Sequence, residues 1–299
     1  MSTIPFFGEI CGLLTAMFWS GSSLVFSAAT VRVGSVLVNI SRLIFALGFL
    51  VPVLLVLGCD TALNRAQLVY LGTSGVIGLA VGDSFLFRAY RHIGPRIAML
   101  VMSASPAIAA VLAYVVLDER LPVLGVVGVV VTLTGIAIVV NERRLGPAHT
   151  TEGLASGVLF AFLAAITQGV GLIFAKLAFL EGTINGFVAT ALRISAALLV
   201  LLPVMILLGR VTHPVRTFAN DRKALGLTLL GSVLGPFLGI SASLMAVAYT
   251  TVGVSATLMA TVPIIMLPMV RIIHKERLTW GAIAGAFVAV GGVVMLFLH

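Results

Sequence analysis

Residues Pro106 to Gly135 read PAIAAVLAYVVLDERLPVLGVVGVVVTLTG, and the skeleton of this stretch returns 157 residues later. Pro106 recurs as Pro263, Ile108 as Ile265, the triplet Glu119-Arg120-Leu121 as Glu276-Arg277-Leu278, Gly128 as Gly285 and Gly135 as Gly292. Upstream, Gly78 and Gly82 recur at the same offset as Gly235 and Gly239, while Arg42, Pro52 and Gly58 recur as Arg193, Pro203 and Gly209 at an offset of 151. A repeat of this length is too long for a solenoid module and matches a five-helix half of a membrane protein. The chain reads as one unit written twice.

The surroundings of that stretch set the solvent. Hydrophobic residues make up 60% of the chain and charged residues only 9%, with a mean hydropathy of +1.20. A soluble globule carries about 25% charged residues. A membrane-spanning helix needs ~20 mainly apolar residues and a barrel strand only ~10 of alternating polarity. The unbroken apolar runs here are of the first kind, so the fold expected is an all-α integral membrane protein. Ten transmembrane helices are predicted, at 8–29, 36–57, 67–90, 96–117, 122–141, 153–177, 186–208, 224–248, 254–273 and 279–298. Five fall in each half, giving a first repeat over 1–145, a polar linker over 146–152 and a second repeat over 153–299. Because five is odd, the second repeat enters the membrane from the opposite side, and the repeats are inverted.

The net charge of +8 is no nucleic-acid signal, because Lys and Arg stand singly or in small groups between apolar runs. They describe topology instead. The connections after helices 1, 3, 5, 7 and 9 carry Arg32; Arg88, Arg91 and Arg96; Arg143 and Arg144; Arg210, Arg216, Arg222 and Lys223; and Arg271, Lys275 and Arg277. The other side has only Arg65, Arg120 and Lys176. The positive-inside rule then puts both termini outside the cytoplasm. The N-terminus has no basic n-region, so the first apolar run is expected to remain as a span. A multi-pass protein of the plasma membrane, in a bacterium the inner membrane, is the expected setting. Cys11 and Cys59 offer neither metal spacing nor a disulfide framework. Glycines spaced by four, as in Gly8/Gly12, Gly78/Gly82, Gly153/Gly157, Gly231/Gly235/Gly239 and Gly281/Gly285, let helix backbones approach closely. Packing within the bundle is the first reading of these faces, and a homodimer is the alternative to a monomer.

The residues that repeat carry a resemblance. After Trp19 in the first half, the arginine (Arg42, Arg193), the small-residue run ending in proline (Pro106, Pro263) and the Glu-Arg-Leu triplet followed by spaced glycines occur in the same order in both halves. With this pattern the chain resembles the EamA-type family of the drug/metabolite transporter superfamily over nearly its whole length. The resemblance implies a ten-helix carrier of small metabolites that works by alternating access around a central cavity, and it names no single substrate. Gln168 stands where the family pattern has Trp, and Ser27 stands opposite Lys176. The sparse charge of the N-terminus and of the second connection also departs from the family's usual cytoplasmic termini.

Ionisable side chains at bilayer depth cost about 2.5–3.5 kcal/mol each on insertion scales, so each needs a partner or a task. Asp83, late in helix 3, is the leading candidate, because the second half places apolar Ile240 at the equivalent position. It either couples transport to protons or binds substrate, or it neutralises an arginine of helix 2 or 3. Arg42 and Arg193 lie about two turns inside their helices, where they hold a carboxylate or phosphate of a substrate or snorkel to a local partner. Glu9, one turn into helix 1, suits cation–proton antiport if it reaches the cavity, and Lys176 is read as structural. Trp19, Gln168, Asn39, Tyr90 and Tyr249 are candidate cavity residues, the two tyrosines being equally suited to interfacial anchoring. Pro106 and Pro263 are candidate hinges. The Glu119-Arg120 and Glu276-Arg277 turns are read as closing hairpins, with Pro122 and Thr279 starting the helices that follow.

A secondary transporter, most simply an exporter of an amino acid or similar small organic solute, accounts for these features. Proton-coupled efflux of organic cations is the alternative. The chain lacks a phosphate-binding G-x-x-x-x-G-K-[ST] loop, so direct ATP drive is not expected. An intramembrane enzyme would need clustered catalytic groups, whereas His92, His149, His213, His274 and His299 all fall in connections or at the terminus. No cofactor or metal is expected; the partners expected are a small-molecule substrate and the lipid bilayer.

Overall fold

The computed structural model describes residues 5–116, 123–145, 153–210, 213–250, 252–273, 275 and 278–297, and every element among them is helical. The first half runs α1 (Phe7–Val33), α2 (Ser35–Leu57), α3 (Arg65–Gly75), a π-helical turn over Val76–Gly82, α4 (Asp83–Met102), α5 (Ser105–Val116) and α6 (Val123–Leu145). The second runs α7 (Leu154–Leu180), α8 (Gly186–Leu207), the short α9 (Pro214–Asn220), α10 (Arg222–Ser232), a second π-helical turn over Val233–Gly239, α11 (Ile240–Tyr249), α12 (Val252–Met259), α13 (Val262–Ile273) and α14 (Trp280–Phe297). Seven segments among the described residues are long and apolar enough to cross a membrane, and Val262–Ile273 and Trp280–Leu296 are shorter apolar helices. Their outer faces carry exposed Leu55, Val56, Leu199 and Leu207, a surface suited to lipid.

Local chemistry sets the helix ends. Asn64 accepts from the Gln67 amide and Gln67 reaches back to the Asn64 amide, a capping box that starts α3. Asn185 and Asp221 cap α8 and α10 through their side chains, and the Ala282 amide donates to Thr279 Oγ1 at the start of α14. Gly58 and Gly209, the pair recurring at an offset of 151, both take positive φ (55° and 63°) just past α2 and α8, where a residue with Cβ is strained.

Three predicted boundaries are corrected. Helices expected to run unbroken over 96–117 and 254–273 are each interrupted, at 103–104 and at 260–261. Pro106 and Pro263 sit second in α5 and α13, and a proline ring clashes with the carbonyl four residues back, at Met102 and Met259. Those are the last residues of α4 and α12. The expected connection between helices 3 and 4 shrinks to Gly94 (φ 73°, ψ 168°), with helix on both sides. The polar connection after α8 contains the extra helix α9, begun by Pro214 at its first position.

The two π-helical turns lie 157 residues apart, as do the two interruptions. Packing repeats as well. Helix α1 packs on α10, the second π turn and α11, while α7 packs on α3, the first π turn and α4. The contact of α3 with α8 has its counterpart in α10 with α2, and α5 on α7 in α13 on α1; α2 meets α8, and α6 meets α14. Glycine spacing is used inside this bundle. A Cβ at Gly231 or Gly235 would meet Phe26, at Gly239 Trp19, at Gly82 Thr167, at Gly157 Ile93 and His92, and at Gly285 Val139. These faces are filled by the chain's own helices. The hairpin residues Glu119, Arg120, Pro122, Glu276 and Arg277, the linker 146–152 and His149, His274 and His299 lie outside the described residues.

Candidate polar site between the halves

A π turn widens the helix and leaves a carbonyl out of register, a feature frequent at functional positions. Asp83 is the residue directly after the first of them. It is 5% exposed and lies between two apolar clusters, one built on Phe26, Phe87, Tyr90 and Ile97 and the other on Leu43, Leu71, Leu79 and Ile194. One carboxylate oxygen pairs with the Arg42 guanidinium from α2. The other accepts from Gln168 Nε2 of α7 at 3.2 Å, a nitrogen that also reaches the Gly78 carbonyl at 3.4 Å.

Arg42 is held on every side. Its Nε donates to Asn39 Oδ1 at 2.9 Å, one turn back on α2, and Asn39 Nδ2 donates to Ser84 Oγ at 3.0 Å. Ser84 in turn donates to the Ala80 carbonyl within the π turn. The guanidinium carbon stands 4.9 Å from the Phe87 ring centroid and 5.8 Å from that of Phe26, within cation–π range. Tyr90 stacks on Phe87 at 5.5 Å, and its hydroxyl donates to Met99 Sδ at 3.3 Å.

Arg193 enters from α8. A Cβ on Gly75 would lie 2.7 Å from the Arg193 Cα, so this glycine lets α8 lie directly against α3. Its side chain runs to Gly78, where an added Cβ would stand 3.5 Å from one guanidinium nitrogen and 3.2 Å from Gln168 Oε1. Arg193 is near enough to Asp83 to feel its charge. Arg42, Asn39, Asp83, Gln168, Arg193 and Tyr90 thus converge, from α2, α4, α7 and α8.

The remaining candidates sit elsewhere. Trp19 lies against Gly239 in the second π turn, whereas Gln168 lies by Gly78 in the first. Glu9, half-buried in the first turn of α1, accepts from Thr250 Oγ1 at 3.3 Å, ten residues or ~15 Å of helix from Trp19. Tyr249 is exposed and meets Phe7 edge-on at 5.2 Å. Pro106 and Pro263 begin α5 and α13 beside the interruptions. Sequence reasoning passed over Ser84, Phe87 and Phe26. Ser84 was signalled by its place next to Asp83 and its recurrence as Ser241, and Phe87 by its place one helical turn after the acid.

Comparison with known proteins agrees with this architecture. The EamA-like transporter family model matches residues 6–141 and again residues 155–298. An uncharacterized transporter of Clostridium kluyveri is 20% identical over 298 residues, spanning 96% of this chain and 92% of that protein. A crystal structure 20% identical to this chain superposes with a TM-score of 0.66, covering 96% of this chain and 95% of its own, a likeness of fold.

Proposed function

The chain belongs to the EamA-like transporter family, and on that premise we propose that it is a secondary transporter working by alternating access. It is a membrane transporter rather than an enzyme, with a small-molecule substrate and a lipid surround. In the proposed reading, ten spans form two inverted five-helix repeats, 1–145 and 153–299, joined by 146–152. The protein resides in the plasma membrane, its basic connections on the cytoplasmic side and its termini outside.

The observation that carries this reading is the double occurrence, at one offset, of a π turn and a proline-marked interruption, around a buried charged cluster that both halves build. Interrupted helices let two halves rock about a site between them, one side closing as the other opens. Pro106 and Pro263 supply the bending points, because a proline nitrogen has no hydrogen to donate to the carbonyl four residues back. Asp83 sits where its contact to α7 changes as the halves move, and it couples that movement to a proton. The cargo is an amino acid or similar small organic solute, and the direction is export.

Purified protein in proteoliposomes, supplied with pooled amino acids and amines under an imposed proton gradient, tests the reading. Saturable, protein-dependent uptake is expected, and Asp83→Asn is expected to lose gradient-driven uptake while keeping exchange. Absence of transport from every pool by monodisperse protein would overturn the proposal. Undiminished driven uptake by Asp83→Asn would return Asp83 to a structural partner of Arg42.

A further inference from the structure

We propose that Arg193 is the receptor for an anionic group of the transported solute, a carboxylate or a phosphate ester, while Arg42 is a fixed structural cation. This deepens the transporter reading and rests on it. The two arginines occupy equivalent places in the repeats and both lie near Asp83, but only Arg42 hydrogen-bonds it, and their other partners differ. Arg42 has Asp83 in α4, Asn39 one turn back and two aromatic rings. At the positions equivalent to Asp83 and Asn39 the second half has Ile240 and Thr190, and the Thr190 hydroxyl is spent on the Gly186 carbonyl at 2.7 Å. Arg193 is 4% exposed, and its Nε has no hydrogen-bond partner among the described residues.

Charge counting points the same way. The cluster contains two guanidinium groups and one carboxylate, and that carboxylate is already engaged by Arg42 and Gln168. Among the described residues the other acids, Glu9, Asp60, Glu142, Glu181 and Asp221, lie near helix ends or in connections, where Asp221, for example, pairs with Arg32. Among the described residues Asp83 is therefore the acid near Arg193, and its carboxylate is hydrogen-bonded to Arg42 and Gln168 instead. Two buried guanidinium groups sharing one carboxylate leave a net positive charge that is costly, so its complement comes from outside the cluster. The guanidinium presents donors in a planar fork that matches two oxygens of a carboxylate or phosphate. The same excess of one positive charge repels a cationic cargo, which separates this inference from organic-cation efflux. Gly78 places no Cβ against the guanidinium tip, where one would stand 3.5 Å from its nitrogen.

The test uses the full chain in nanodiscs of phosphatidylcholine alone, with matched probes: lactate against lactamide, glycerol 3-phosphate against glycerol, and choline as a cation. Saturable thermal stabilisation by one anion of a pair and not by its neutral twin is expected, with the two pairs distinguishing a carboxylate from a phosphate site. Arg193→Gln is expected to weaken that anion's apparent affinity at least tenfold, and Arg193→Lys to recover part of it. Should Arg193→Gln not fold, the wild-type twin comparison still decides. Repeating the titration with phosphatidylglycerol discs shows whether a lipid headgroup competes for the site. Equal response to each charged probe and its neutral twin, or preference for choline, would overturn the inference. Transport readings separate the two proposals. Saturable uptake of neutral or cationic solutes that Arg193→Gln leaves intact refutes the anion site and spares the transporter, whereas Arg193-dependent anion binding without transport from any pool refutes the transporter and spares the site.

Discussion

Gly291 and Gly292 are neighbours on α14, and replacing each by alanine is expected to move stability in opposite directions. A Cβ on Gly291 meets nothing within 4 Å. A Cβ on Gly292 would fall 2.6 Å from the Gly128 carbonyl oxygen and 2.5 Å from Thr132 Oγ1 on α6. Ordinary contact begins at 3.4 Å and the Thr132 backbone nitrogen would be nearer still, so α14 has to withdraw from α6 by about 1 Å. A gap of that size forfeits roughly a quarter to a half of each van der Waals well. For an interface on the order of 50 atom pairs at ~0.15 kcal/mol each, the loss is about 2–4 kcal/mol, similar to the ~1–3 kcal/mol of overpacked cores. The Thr132 hydroxyl, which donates to the Gly128 carbonyl at 2.9 Å, is displaced as well. Gly291→Ala, by contrast, removes a flexible residue from a helix at no steric cost and is expected to gain up to about 0.5–1 kcal/mol. Equilibrium unfolding in mixed detergent micelles measures both variants side by side. Wild-type stability in Gly292→Ala, or a larger loss in Gly291→Ala, would refute the claim that α6 and α14 meet through the recurring glycines.

Removing the Asp83 carboxylate by Asp83→Ala leaves Arg42 buried without its counter-charge and is expected to cost about 3–5 kcal/mol in the same unfolding assay. The double variant Arg42→Met/Asp83→Leu is expected to recover most of that loss, and an additive double loss would contradict the pairing. Pro106→Ala and Pro263→Ala remove the ring that clashes with the last carbonyl of the preceding helix. They are expected to slow exchange in proteoliposomes several-fold with stability kept, and unchanged exchange would remove the prolines from the moving parts. Asp221, outside the spans, is held below the usual carboxylate range by hydrogen bonds from Arg32 and then from the Ala224 amide. Since its native pKa lies below its ordinary 3.8, its contribution is complete above about pH 4–5 and is lost as pH falls through the native value. Comparison of acid unfolding curves should show Asp221→Asn less sensitive than wild type in that window, and parallel curves would contradict the bridge.

Periodicity and recurrence in the sequence already determined that this chain is apolar, helical and written twice, because a 20-residue apolar run has one solution in lipid and a repeated spacing of glycines, prolines and arginines survives translation into helices. They also singled out Asp83, through the mismatch with Ile240. What one-dimensional spacing does not contain is the course of the backbone between marks. Whether Pro106 and Pro263 bend a helix or interrupt it depends on the carbonyl four residues before them. The π turns have no residue signature of their own, since each depends on packing of Gly78, Gly82, Gly235 and Gly239 against the facing helix. The sequence likewise treated Arg42 and Arg193 as equals. Only the packed bundle, with α8 lying on Gly75, turns Arg193 toward the first half and leaves it without the acid that Arg42 already holds, because a side chain's partner is set by which helices meet, and that is a property of the fold.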